Sequence, residues 1–219
     1  MDSAAASAFL NDQIPVKQQV LLPPAFRSAY AAVKELVNDV PFLKVGSAEF
    51  NVGRLRTWAV DHAVENLIKS GQWNVDHRWR TFGNPKPTGK YLEILLSHSK
   101  MTISQVADPK KQPRNVRFRE NARLFNHPFL PFEDLKADAE ISGRPAFLML
   151  HGHQDLDFLH AAMPYATRRY GYICRTANLL TLPYEVTQKG PAPEDTSFKE
   201  STIQLKDQIA KWLKDNHGA

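Results

Sequence analysis

Apolar residues recur at helical spacing in two stretches of the N-terminal third of the chain. Phe26, Tyr30, Val33 and Val37 follow one another at intervals of three or four, bounded by Pro24 and Pro41, and predict a helix over 25–40. Leu55, Trp58, Ala59, His62, Ala63 and Leu67 form a second stripe and predict a helix over 51–70, with Asn51 as its cap and Gly71 at its exit. Residues 1–24 show no such period and read as an irregular lead-in that closes on Pro23 and Pro24.

After Gly71 the period shortens to two. Trp73, Trp79 and Phe82 fall in an expected strand. Across Tyr91–Ser97, Leu92, Ile94 and Leu96 take one side while Tyr91, Glu93 and Leu95 take the other. Ser97–Lys100 turns the chain into a partner over Met101–Val106, which predicts a hairpin near 91–106. Ala146–His151 is a continuous apolar run suited to a strand buried on both faces. Asp155 is expected to cap a short helix carrying Leu156, Leu159, His160 and Met163, ended by Pro164, and a further strand is expected near 170–175. Residues 126–145 read as a long connection with one helical turn at 132–139, and 183–195 as a linker. Ser197 and Glu200 form a capping box for a last helix, whose Phe198, Thr202, Leu205, Ile209 and Trp212 make a narrow seam.

Helices first, strands next and a helix last predict an α+β fold rather than strict βαβ alternation. It has N-terminal helices, a central and mostly antiparallel sheet with the hairpin near 91–106, and a C-terminal helix. Residues 1–196 are expected to form a single domain, helical over about 25–70 and strand-rich over about 72–182. The helix over 197–217 then docks on that domain or on a protein partner.

Composition narrows the class. With 42% hydrophobic and 23% charged residues among 219, the chain is neither disordered nor collagen-like. Cys174 is the single cysteine, which rules out an intramolecular disulfide and a cysteine-based zinc site and points to a reducing, cytoplasmic location. The apolar run Pro145–Leu150 is far short of the roughly 20 residues a spanning helix needs, so no membrane partner is expected. The formal charge of +5 favours nucleic acid or acidic partners.

That charge is concentrated. Lys110, Lys111, Arg114, Arg117, Arg119 and Arg123 fall within 14 residues against one acid, Glu120, with Phe118 and Phe125 interleaved. In an extended 115–119 segment, Arg117 and Arg119 would project from one face while Val116 and Phe118 face the core. Arginines offer bidentate contacts to phosphate and neighbouring rings offer stacking, so the strip is a candidate nucleic-acid-binding surface. The leading expectation is therefore a non-catalytic, nucleic-acid-associated or regulatory protein.

A second chemistry lies in Leu150-His151-Gly152-His153-Gln154-Asp155-Leu156-Asp157, directly after the buried run. Two imidazoles at i and i+2 followed by carboxylates suit a divalent metal that activates water, with His151, His153 and Asp155 as ligands or catalytic groups. The order resembles the His-x-His-x-Asp-His signature of metallo-β-lactamase-fold hydrolases, although Leu156 stands where that signature has its last histidine. The alternative expectation is thus a metal-dependent hydrolase or nuclease. The plain reading of the same turn makes Asp155 a cap and Gly152 a source of backbone freedom. A third expectation is a protein-interaction subunit that uses 197–217.

Two further patterns break down. Gly83 to Lys90 has one residue too many between its glycines for a phosphate loop, and Tyr91 replaces the required hydroxyl. Asp76 and Glu93 resemble the acidic pair of restriction-type nucleases, but Leu95 occupies the lysine position.

Overall fold

Pro23 and Pro24 start a helix instead of ending a loose segment. A proline fits the first helical turn, where its missing N–H would have no partner in any case. In a computed structural model describing residues 2–82, 89–126 and 143–183, helix α3 runs Leu22–Asp39. Leu22, Phe26, Ala29, Val33 and Leu36 form its buried stripe. The expected lead-in is itself helical. Helix α1, Ser3–Gln13, is capped by the Asp2 carboxylate, which accepts from the Ala5 amide at 2.7 Å, and α2 spans Val16–Gln19. Alanine's helix preference, not an amphipathic period, shapes α1, so only Ala6, Leu10 and Gln13 of it are buried.

After a 3₁₀ turn at Pro41–Lys44 and the short α4, Gly46–Glu49, helix α5 runs Val52–Lys69. Leu55, Ala59 and Ala63 of the expected stripe are buried, but the buried face continues onto Val60, Val64 and Ile68 and leaves Trp58 exposed. Asn51 is not a side-chain cap, because its amide donates back to the Ser47 carbonyl at 3.1 Å. Gly71, with a φ of 73°, makes the exit turn. Among the described residues no helix is long and apolar enough to cross a membrane.

Six strands follow: β1 Asp76–Thr81, β2 Lys90–Leu95, β3 Lys100–Gln105, β4 Ala146–His151, β5 Leu159–Pro164 and β6 Tyr172–Arg175. They lie in the sheet in chain order, and every neighbouring pair is antiparallel except β3 and β4. The fold is therefore α+β with a mostly antiparallel sheet and the expected hairpin. Trp73 and Phe82 flank β1 rather than belonging to it.

Two expectations are corrected by the sheet. The helix expected after Asp155 is strand β5, paired antiparallel with β4 from His151–Leu159 to Leu148–Ala162. Every residue of β4 and β5 is buried, so neither shows the alternation that marks a half-exposed strand. The extended segment expected at 115–119 is instead the start of helix α6, Arg117–Leu124. Residues 132–139, 184–195 and 197–217 lie outside the described residues.

Strand parity divides the sheet into two faces. One face carries Leu92, Ile94, Met101, Phe147, Met149 and Ala161 into the main core under α1, α3 and α5. The other carries Arg78, Glu93, Lys100, Thr102 and Leu148, and α6 crosses it. A smaller apolar cluster of Val106, Leu148, Leu150, Phe158 and Ala162 closes this face toward β5. Buried Asn126 anchors the end of α6, donating to the carbonyls of Ala146 and Pro164 and accepting from the Ala146 amide.

Candidate functional site

The two histidines of the 151–155 turn occupy opposite environments. His151 ends the all-buried β4, is 0% exposed, and packs edge-on against Phe26 and Tyr30 of α3. The Tyr30 hydroxyl lies 2.7 Å from its Nδ1 and donates to the Gly152 carbonyl. With that proton committed, Nδ1 of His151 donates to the phenol oxygen. Nε2 is left buried without a partner. Burial pushes the His151 pKa down to about 3, so the ring stays neutral. His153 and Asp155 stand exposed on the following loop, where the His153 carbonyl accepts from Arg56.

Gly152 is required by a close approach. A Cβ there would lie 1.9 Å from the Asp155 carbonyl oxygen, and its φ is not in the left-handed region. Among the described residues, no three His, Cys, Asp or Glu side chains are placed to hold a metal ion. The turn thus brings His151, His153 and Asp155 close in sequence without aiming them at one point.

The basic strip is divided by α6. On a helix, residues 117 and 119 point about 200° apart, whereas 119 and 123 share a face. Arg117 accordingly faces solvent with Lys110, Lys111 and Arg114, while Arg119 and Arg123 turn toward the sheet. Arg119 donates to the Arg114 carbonyl at 3.1 Å and Arg123 to the Arg168 carbonyl at 2.9 Å. Val116 is extended and precedes the helix, and Phe118 packs against Tyr91 and Phe82 rather than entering the main core.

A cleft of about 350 Å³ opens between α6 and the polar face of β1–β4. Arg80, Lys100 and Arg117 line it, with Glu93, Tyr91 and Phe118. The register assembles it: Arg78 pairs with Glu93, Arg80 with Tyr91, and Lys100 with Leu95. Glu93 is only 3% exposed and sits 2.5 Å from Arg78 Nε and 3.7 Å from Arg80 Nη1. Burial lowers the Lys100 pKa, the Glu93 carboxylate opposes that shift, and Nζ lies 5.2 Å above the Phe125 ring. Tyr91 and Phe118 stack at 4.1 Å to form one wall.

Arg80 and Lys100 escape a reading that looks for runs of charge, because they lie on different strands. Their signal is parity: Arg78 and Arg80 alternate with Trp79, and Tyr91 with Leu92. A hairpin register then places the polar sets side by side. Asp76, on the same face, is exposed and pairs in register with Leu95, while Glu93 is held by arginines. Compared with protein-family models, curated proteins and solved structures, the chain matches none.

Proposed function

We propose that this protein binds nucleic acid without catalysis, using the polar face of the sheet and the outer side of α6. The observation that carries the reading is the convergence of Arg80, Lys100 and Arg117 on one cleft that, among the described residues, Glu93 alone opposes with a carboxylate. Glu93 holds Arg78 and Arg80 in place and so fixes the direction of their donors. Lys110, Lys111 and Arg114 extend the positive surface. The cleft is sized for a small ligand, and its aromatic wall suits a single strand entering one nucleotide at a time. Arg119 and Arg123 leave the contact set because their guanidinium groups are turned inward.

Titration with a single-stranded oligonucleotide at several salt concentrations tests this. Three or four phosphate contacts give a slope of log K against log salt of about −2 to −3. Arg80→Gln and Arg117→Gln should each reduce the slope by about 0.7, and at exposed Arg117 the unfolding stability should change by no more than about 0.5 kcal/mol. Absence of binding at low salt, or an unchanged slope in both variants, overturns the proposal.

A further inference from the structure

A second recess, beneath the inner side of α6, holds a charge imbalance that the cleft does not explain. It lies where α6 crosses the β3–β4 seam, and the charged residues lining it are Arg114, Arg119, Arg123 and Glu120, with Thr102 and Leu148 from the sheet. Its space is about 30 Å³, enough for one or two occupants the size of water. Arg119 and Arg123 each commit one Nη to a main-chain carbonyl, yet each Nε is buried without a hydrogen-bond partner. Among the described residues, the carboxylate available here is Glu120, which is already shared. It lies 4.0 Å from Arg123 and 3.7 Å from Arg169, and also accepts from Asn115. No described carboxylate lies within ion-pair distance of Arg119.

Two half-buried guanidinium groups whose Nε atoms are shut off from water, with so little opposing charge, favour a counter-ion. We propose that the recess between α6 and the β3–β4 seam binds a monoatomic anion of chloride size, held by the Nε groups of Arg119 and Arg123. Size favours the class. A halide fits within the recess, whereas a phosphate or sulfate, with five heavy atoms, would have to reach out of it toward solvent. The Arg119 pKa, pulled down to about 10 by burial, has the sign expected of a cation without a counter-charge. The bound halide links α6 to the sheet, and its site uses different arginines from the nucleic-acid cleft, so either can fail alone.

The test compares melting in sodium chloride, sodium bromide and sodium gluconate at equal ionic strength, in a phosphate-free buffer and without nucleic acid. Saturating chloride or bromide, at tenfold the dissociation constant, should raise the melting temperature by about 3–5 °C over gluconate. Arg119→Leu should remove that difference, and Arg117→Gln should retain it. Crystals of the unmodified protein grown in bromide should show an anomalous peak between Arg119 and Arg123, a readout that does not depend on the variant folding. Equal melting in all three salts, or no bromide at that position, means that water alone fills the recess and overturns the proposal.

Discussion

Between Phe26 and Tyr30 the imidazole of His151 meets no solvent, so the chemistry of the 151–155 turn differs from what its residue types suggest. The pattern His-Gly-His does not distinguish its two rings. Position does: His151 is the last residue of an all-buried strand and His153 the second of a loop. A second buried group carries a sharper consequence. Asp61 of α5 is 8% exposed, and desolvation, aided by the negative charge of Glu65, raises its pKa to about 7. Below about pH 4 both folded and unfolded chains hold that proton. As pH climbs toward 7 the unfolded chain releases it first, so the group's contribution to stability falls through that window and is lost above it. Asp61→Asn should therefore melt close to the parent at pH 4 and above it at pH 8, by an amount on the order of 3–4 kcal/mol. Urea unfolding of both proteins across that range reads the difference directly, and a gap that does not widen with pH refutes the assignment.

Among the elements, α3, α5, the 91–106 hairpin and β4 were legible because each shows a clear period or a clear apolar run between breakers. Strand β5 was not. Leu156, Leu159, His160 and Met163 happen to fall at helical intervals, and burial on both faces removes the alternation that would have exposed the strand. Helix α6 was missed for the opposite reason: it is so polar that no buried residue marks its face. Its direction has a measurable effect on truncation. Arg119→Ala removes the bond to the Arg114 carbonyl and empties part of the recess beside Leu148, and should cost about 1–2 kcal/mol. The same change at exposed Arg117 should stay within about 0.5 kcal/mol. Thermal unfolding of the two single variants separates them, and comparable losses would mean that α6 is rotated from the orientation described.

For the whole molecule, the +5 charge read from the sequence becomes informative only once the sheet has two faces, because parity gathers Arg78, Arg80 and Lys100 on the side away from the main core. A run of six basic residues was visible in one dimension; the cleft, which combines Arg117 with residues of β1, β2 and β3, requires the third. The same sheet order bears on how the chain reaches this state. Strands β1 to β3 form one meander and β4 to β6 another, each pairing neighbours in sequence, and a single parallel seam joins them. Antiparallel neighbours close short loops, while Met101 must find Phe147 across a long stretch of chain at a larger entropic cost. The two meanders should therefore assemble early and the seam should be the late, rate-limiting event of folding. In pulse-labelling hydrogen exchange during refolding, amides in the two meanders should gain protection before the amides that bond across the seam; simultaneous protection would show that the sheet forms in one step. Substitutions that weaken packing within a meander but leave the seam alone should accordingly alter folding speed in a different proportion from those placed at Met101 or Phe147. The kinetic bottleneck would then lie on the strand pair that α6 crosses.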